Sequence, residues 1–268
     1  EYIFLNHNDF EVKPRTIAQA IMVAPGTHYN LQSVNQTYSQ LAGLQVFKYI
    51  NLQFREVPGA ISRPLAYRDL IDCHIELSKK DIQGFSVTTD GTNSSGALGV
   101  QANVGYQHYN LFKGAQLFRI NLSGSLQMQA TDGFSDSKFF NTIEFGVNSS
   151  LTFPQFLIPF RQQRLYNHFR PKTIISLGYN YQLQQHFNRH ISNITFGYSW
   201  QQNVEIPHLL NPSEFSLVKI FKDSYFDSVL NTQKDNRLKN QYTDHLIAGL
   251  KYTFTYNSQK LNKSKDFI

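Results

Sequence analysis

The chain has 268 residues and is polar without being strongly charged, because only 16% of its residues are Asp, Glu, Lys or Arg while 14% are aromatic. A soluble domain averages about 25% charged residues, and here Asn, Gln, Ser and Thr supply the difference, a composition typical of transmembrane barrels. No stretch approaches the roughly 18 to 20 apolar residues of a membrane helix, and the net charge of +6 is not concentrated in a basic run with interleaved aromatics, so we expect no nucleic-acid partner.

The first 80 residues change their hydrophobic period several times. A strand is predicted over residues 2–5, and a helix begins at Pro14, where the missing N–H is harmless. A second helix is predicted from an N-cap at Asn30 to Gly43, and alternation over 50–55 and 71–78 predicts two strands. The apolar face of the second helix is predicted to contain Leu31, Val34, Tyr38 and Leu41. The order β-α-α-β-β predicts a small α+β domain over residues 1–80.

From residue 81 onward apolar and polar residues alternate strictly. The long alternating runs are 98–107, 118–129, 143–153, 175–183, 194–200 and 246–256. A weak strand at 85–89 and a less regular one at 215–221 bring the total to about eight, with loops predicted at 185–190, 202–208 and 222–243. Soluble sandwich strands average about five or six residues and carry many Lys and Glu outward. Runs of about 9 to 11 residues with Gly, Asn, Gln and Ser on one face instead predict an antiparallel transmembrane β-barrel over 81–268.

The segment "KPRTIAQAIMVAPGTHYNLQSVNQTYSQLAGLQVFKYINLQF" resembles a polypeptide-transport-associated (POTRA) domain. Its P-G-x-x-Y turn, its amphipathic helix with an L-x-x-L ending and its Phe-initiated strand carry that resemblance. "GALGVQANVGYQHYNLFKGAQLFRINLSGSLQMQ", with its N-L-F-x-G-A turn, "FGVNSSLTFPQFLIPF" and "ISNITFGYSWQQN" resemble a bacterial surface antigen barrel of the Bacteroidetes type. Together they are similar to the BamA/TamA-type outer-membrane protein assembly family.

This resemblance implies a periplasmic POTRA domain that precedes a 16-stranded barrel in the bacterial outer membrane, where the family inserts or exports other proteins. The chain differs in having one POTRA-like domain and about half the strands, and in lacking the arginine-bearing motif of the sixth extracellular loop. We therefore expect a fragment that forms about half of the barrel. The alternative is that the eight strands close into a complete small barrel, which is physically possible. A half barrel has two unpaired edges and is expected to be unstable alone in a bilayer.

In the mechanism that the resemblance implies, the first barrel strand is a lateral gate that templates client strands by β-augmentation. The stretch 84–93, "GFSVTTDGTN", is the candidate because it has only two apolar anchors, although it also reads as a linker into the barrel. The client-binding residues predicted for the gate are Gly84, Phe85, Ser86, Val87, Thr88 and Thr89. A second client-binding edge is predicted in the POTRA-like domain, at Lys48, Ile50, Leu52 and Phe54, although these residues also serve that domain's own sheet.

Patterns that suggest catalysis are weak, and we expect neither an enzyme nor a cofactor or metal. His186 and His190 suit a metal only on a helix, yet they lie between two predicted strands. The aspartates 132, 136, 223 and 227 lie in loops without a nearby base, and the single Cys73 reads as a core residue. The expected partners are unfolded outer-membrane protein clients, outer-membrane lipid and accessory assembly subunits. A passive porin-like channel is the main alternative function, and an outer-membrane barrel enzyme is the weaker one.

Overall fold

The computed structural model describes residues 3–5, 11–57, 70–94, 97–128, 142–158, 170–203, 206–232 and 236–256. Within these ranges, no helix has both the length and the apolar character needed to cross a membrane. The described chain forms a small N-terminal unit followed by one large antiparallel sheet.

The N-terminal unit contains two helices and a two-stranded antiparallel sheet. Pro14 stands at the first position of its helix, and the side chain of Asn30 caps the second helix by accepting a hydrogen bond from the Gln32 N–H at 2.8 Å. The predicted helix starts are therefore confirmed. The elements are α1 (Pro14–Ala20), α2 (Leu31–Gly43), β1 (Phe47–Glu56) and β2 (Ile71–Lys79).

The buried face of α2 differs from the predicted one. Leu31 and Tyr38 are 60% and 52% exposed, whereas Thr37 and Leu41 are fully buried. The Thr37 hydroxyl accepts a hydrogen bond from the Met22 N–H at 2.9 Å. Because this hydroxyl is satisfied, a polar residue can occupy the inner face of α2, for which the hydrophobic pattern predicted only apolar residues and Tyr38. The predicted face is thus half wrong.

The core of this unit is small. Ile17, Ala20 and Leu41 form the buried cluster, and Ile50 of β1 packs against it. The strand predicted over 2–5 is wrong for residues 3–5, which have no strand structure, while residue 2 lies outside the described residues. Within the described part, the sheet of this unit consists of β1 and β2 alone.

The large sheet is an eight-stranded antiparallel meander in which each strand pairs with its neighbours in sequence. This confirms the predicted antiparallel architecture and the number of strands. The strands are β3 (Gln83–Ser94), β4 (Ala97–His108), β5 (Leu117–Met128), β6 (Thr142–Phe153), β7 (Lys172–Leu183), β8 (Phe187–Asn203), β9 (Ile206–Lys222) and β10 (His245–Phe254). Helices α3 (Ser224–Thr232) and α4 (Asn236–Gln241) precede β10.

The structure differs from the prediction at three of the predicted loops. Strands β8 and β9 have 17 residues each and absorb most of the loops predicted at 185–190 and 202–208, while the loop predicted at 222–243 contains α3 and α4. The pairing of β8 with β9 shifts register between Phe196 and Tyr198. The extra residue lies on β9, where it breaks the period of two in the half of the strand that the prediction missed. The predicted run 194–200 of β8 crosses this point unbroken. The start of β8 was missed because Phe187 and Ile191 lie on the face opposite Ile194, in a buried cluster with residues of β9.

The sheet does not close in this structure. Strands β3 and β10 form its two ends and do not pair with each other. The alternative of a closed eight-stranded barrel therefore does not describe the molecule, and both end strands have one side without a strand partner among the described residues.

Candidate functional site: an open strand edge on a two-faced sheet

One face of the large sheet is apolar from the first strand to the last. Strand pairing aligns side chains across the sheet, so a row that begins at Phe85 continues through directly paired residues on every following strand. That row is Phe85, Tyr106, Ile120, Ser149, Leu177, Ile194, Phe215 and Ala248. Because most of these large side chains are half-buried or exposed, this face requires an apolar surrounding.

Aromatic clusters border the apolar face at both ends of β8. At one end Trp200 stacks on His208 with ring centroids 5.0 Å apart. At the other end the ring of His190 lies 5.3 Å from that of Phe221, and its Nδ1 lies 2.8 Å from the Tyr179 hydroxyl. We refer to these ends as the Trp200 rim and the His190 rim.

The distance between the two rims matches the thickness of the apolar layer of an outer membrane. Trp200 and His190 are ten residues apart on β8, a length of about 33 Å at about 3.3 Å per residue. A strand tilt of about 35–45° reduces this to a height of about 23–27 Å, close to the roughly 25 Å apolar band of outer-membrane barrels. The sheet therefore has the two faces and the height of a membrane-spanning barrel wall.

The opposite face of the sheet is polar and crowded. Gln182 Nε2 donates to Glu144 Oε1 at 2.8 Å, and a Cβ at Gly99 would lie only 2.8 Å from the Leu126 carbonyl oxygen. On the apolar face, a Cβ at Gly124 would meet no atom within 4 Å. Side chains converge on the concave side of a curved sheet, so this contrast assigns the polar face to the inside of the curve.

Strand β3 pairs with β4 over all 12 of its residues, without a bulge. The interpretation of this stretch as an irregular linker is therefore wrong. The Tyr109 N–H donates to the Ile82 carbonyl at 2.8 Å, so these opposed residues form a hydrogen-bonded pair, and pairs alternate along an antiparallel ladder. Counting from Ile82, the even-numbered residues of β3 direct their backbone groups to β4 and the odd-numbered ones direct theirs to the open side.

This alternation divides the six predicted gate residues into two sets. Phe85, Val87 and Thr89 present backbone N–H and C=O groups to the open side, whereas Gly84, Ser86 and Thr88 use theirs in the ladder with β4. The side chains of Phe85 and Val87 are 77% and 73% exposed. Among the described residues, the structure thus places the predicted residues on a strand without a bulge that has one unpaired side, and their role in client binding stays a prediction.

Strand β10, at the other end of the sheet, is exposed along its whole length. The Thr255 N–H donates to the Pro207 carbonyl at 3.2 Å, so by the same alternation Phe254 and Tyr252 direct their backbone groups away from β9. Within the described ranges the sheet therefore presents two edges, and lipid offers no hydrogen bonds to either.

The second predicted docking strand, β1, also has one side without a strand partner among the described residues. The Val57 N–H donates to the Leu70 carbonyl at 3.1 Å, and counting back from this pair directs the backbone groups of Ile50, Leu52 and Phe54 to the side away from β2.

The side chains of the β1 residues are less accessible than their backbone. Ile50 packs against the core cluster, and Phe54 makes an edge contact with Tyr29 at 5.0 Å. Lys48 is exposed and lies in the bulge between Phe47 and Tyr49, outside the regular ladder. The role of these residues in client binding stays a prediction, and within the described residues the structure does not bring β1 and β3 into one shared edge.

The N-terminal unit is joined to the sheet by a contact that the sequence did not reveal. Asn110, 7% exposed, donates from Nδ2 to the Glu11 carbonyl at 2.8 Å and accepts at Oδ1 from the Ala115 N–H at 2.9 Å. The Lys13 N–H donates to the Lys113 carbonyl at 2.7 Å. Asn110 and Ala115 begin and end the N-L-F-x-G-A turn, so this turn holds the N-terminal segment at the Trp200 rim.

The patterns that suggested catalysis are not brought together. Within the described residues no group of three or more His, Cys, Asp or Glu residues could hold a metal ion. His186 Nδ1 lies 2.9 Å from Asp223 Oδ2, whereas His190 contacts Tyr179. The aspartates at 132 and 136 lie outside the described residues.

The side chains of Asp223 and Cys73 each have a structural environment that shifts their pKa. Asp223 Oδ1 accepts from the Phe226 N–H at 2.7 Å at the start of α3, and this bond, with the His186 contact, lowers the pKa of the carboxyl. Cys73 is half-buried and is not part of the core cluster, so the prediction of a core cysteine is not confirmed, although its partial burial raises the pKa of the thiol.

No family model matches this chain. No curated protein matches it by sequence. Among solved structures, the chain is similar to the crystal structure of BamA from Haemophilus ducreyi lacking POTRA domains 1-3, with a TM-score of 0.55 and 13% identity over 95% of this chain and 43% of that one. At this identity the similarity shows the fold alone, which is that of a BamA-like barrel, and the chain spans less than half the length of that protein.

Proposed function

We propose that this chain belongs to an outer-membrane protein assembly or translocation factor in which β3 is the lateral gate. The premise is the BamA-like barrel fold, and the observation that carries the proposal is the open edge of β3. Phe85, Val87 and Thr89 there offer unpaired backbone groups on a strand that spans the apolar face. An incoming client strand adds to such an edge by main-chain hydrogen bonds, which demand little of its sequence.

The proposed location is the bacterial outer membrane, with the N-terminal unit as a POTRA-like domain in the periplasm. This unit is held at the Trp200 rim through Asn110, and only residues 80–82 separate β2 from β3. An unfolded client that pairs with the open side of β1 is therefore close to the first strand of the sheet. Accessory assembly subunits are proposed to dock on the same unit, and outer-membrane lipid surrounds the apolar face.

The function is tested by reconstituting the full-length protein in liposomes and adding a urea-unfolded barrel protein. Insertion is followed by the heat-modifiable gel mobility of the client and by its protection from protease. We expect insertion to be faster than in protein-free liposomes of the same lipid. Equal rates in the two preparations would contradict the assembly function.

A passive channel is the second candidate, and the polar concave face of Gly, Ser, Asn and Gln residues favours it. A channel and an assembly factor differ in what they require of β3. Ion conductance of a channel depends on the polar face and is insensitive to the open side of β3, whereas client insertion depends on it. Conductance in planar bilayers without acceleration of client insertion would support the channel.

A further inference from the structure

A cleft lies between the N-terminal unit and the polar side of the Trp200 rim. Its volume is about 420 Å³, within the range of about 300–1,000 Å³ of sites that bind small ligands. Two cationic side chains of the N-terminal unit, Lys13 and Arg15, line one side, and two more at the start of β7, Arg170 and Lys172, line the other. We refer to this space as the basic cleft.

The four cations of the basic cleft have no anionic partner among the described residues. No Asp or Glu occurs among the described residues that line it, and none of the four forms an ion pair with a residue in the described ranges. The neighbouring carboxylate of Glu11 is engaged by Lys79 at 2.6 Å. The positive charge of Arg119 also acts on Lys172, so charge accumulates here without neutralisation.

The fold holds these like charges together. The hydrogen bonds of Lys13 N–H to the Lys113 carbonyl and of Asn110 to the Glu11 carbonyl fix the N-terminal segment against the sheet. Like charges that line one cleft repel each other more strongly the closer they lie, and an anion bound between the two sides would reduce this repulsion. A site that concentrates one sign of charge in a cleft attracts ions of the opposite sign.

The backbone and the side chain of Arg170 also indicate a preformed binding site. Its φ of 41° lies in the left-handed region, an uncommon conformation for a residue other than glycine and one disfavoured before a proline such as Pro171. Its guanidinium donates from one nitrogen to Gln201 Oε1 at 3.2 Å. That bond orients the group while its other N–H donors remain for a ligand.

We propose that the basic cleft binds a phosphoryl anion, either free phosphate or the phosphate of a lipid headgroup. Four cations that face one compact space suit a ligand that carries nearly two negative charges on a single group of acceptor oxygens, as a phosphate monoester does. An acidic peptide spreads its charges along a chain, and the cleft has few apolar side chains to contact such a chain. This site is independent of the proposed assembly function, because a passive channel with the same cleft would retain it.

The test is calorimetric titration of the full-length protein in a non-ionic detergent and a phosphate-free buffer. The probes are inorganic phosphate, dihexanoyl phosphatidic acid and hexaglutamate. The cleft variant is Arg170→Gln/Lys172→Gln, and the matched control is Lys219→Gln/Lys251→Gln, which removes the same charge from two exposed lysines outside the cleft. Arg15→Gln, on the exposed surface of α1, repeats the test without altering the sheet.

We expect saturable binding of a phosphoryl probe that weakens about tenfold or more in the cleft variant and changes less than about twofold in the control. Arg15→Gln weakens it in the same direction, and added salt weakens it in all proteins. Equal affinity for the two phosphoryl probes assigns free phosphate, and tighter binding of phosphatidic acid assigns a headgroup. Absence of saturable binding, equal weakening in the control, or preference for hexaglutamate overturns the proposal.

Discussion

Thr88 and Thr89 are adjacent in β3, yet their backbone N–H groups point to opposite sides of the strand. The N–H of Thr88 lies in the ladder with β4, and that of Thr89 faces the open edge, as the pair formed by Ile82 and Tyr109 establishes. A change of the N–H at Thr88 therefore affects the pairing of β3 with β4, whereas a change of the N–H at Thr89 affects only the open edge.

Proline at each of these positions tests the gate with one chemical change. Thr89→Pro removes an N–H from the open side and is expected to slow client insertion about tenfold while the protein stays folded. Thr88→Pro removes a ladder hydrogen bond, and its loss is expected to lower the free energy of unfolding by about 1–3 kcal/mol. Insertion rates and urea unfolding curves in the same liposomes distinguish the two, and identical insertion rates for Thr89→Pro and wild type would argue against the gate.

The placement of the Trp200 rim at the membrane surface is tested by fluorescence quenching. Trp200 is the single tryptophan of the chain, and any tryptophan outside residues 1–268 is first replaced by phenylalanine. Lipids brominated near the headgroup are expected to quench Trp200 more strongly than lipids brominated deep in the chain. The matched variant Trp200→Phe/Ile194→Trp moves the indole toward the middle of the apolar face and should reverse this order. Equal quenching at both depths in both proteins would place the sheet elsewhere.

The concave curvature of the sheet is tested at two glycines. Gly99→Ala places a Cβ against a backbone carbonyl oxygen at 2.8 Å, and since a backbone oxygen yields less easily than a side chain, we expect a loss of about 1–3 kcal/mol. Gly124→Ala meets open space on the apolar face and is expected to be neutral or to stabilise by about 0.4–1 kcal/mol. Urea unfolding of both variants measures the difference, and a larger loss at Gly124 would contradict the assigned curvature.

The attachment of the N-terminal unit is tested at Asn110. Asn110→Ala leaves the buried N–H of Ala115 and the Glu11 carbonyl without their partner, an expected loss of about 1–3 kcal/mol. We expect tryptic cleavage after Arg15, the first cleavable basic residue of this segment, to accelerate about tenfold, because the segment detaches more often. Asn51→Ala, which removes an exposed hydrogen bond to Glu76, is the control. Equal cleavage of both variants would mean that Asn110 does not hold the unit.

The sequence predicted the sheet well because a strict period of two, sustained over many residues, matches the geometry of a β-strand and not that of a helix. The alternation around Leu98, Leu126 and Leu177 was sufficient to place the central strands. It failed in the first half of β9, where a bulge opposite Phe196 and Tyr198 shifts the phase, and at the start of β8, where Phe187 is apolar on the opposite face. The open sheet was expected only through the resemblance to a 16-stranded barrel, because edges depend on which strands meet, and no local pattern encodes that.

The sequence indicated the proposed gate strand as a stretch, but it did not indicate which of its residues direct their backbone groups to the open side. Alternation assigns side chains to faces, whereas the backbone direction of Thr88 and Thr89 depends on the pairing partner, which the hydrogen bond at Ile82 reveals. The burial of Thr37 in α2 was missed because its hydroxyl is satisfied by Met22, fifteen residues away in the chain. Long-range hydrogen bonds of this kind leave no periodic signal.

The most direct test of strand templating traps a client during insertion. A photo-crosslinking amino acid is placed at Val87, on the open edge, or at Val147, which lies on the same apolar face of the doubly paired strand β6. Full-length protein in liposomes is illuminated while an unfolded barrel client inserts, and crosslinked client is quantified on gels. The account predicts client adducts at Val87 and few or none at Val147. Equal yields at the two positions, or none at Val87 while insertion proceeds, would contradict it.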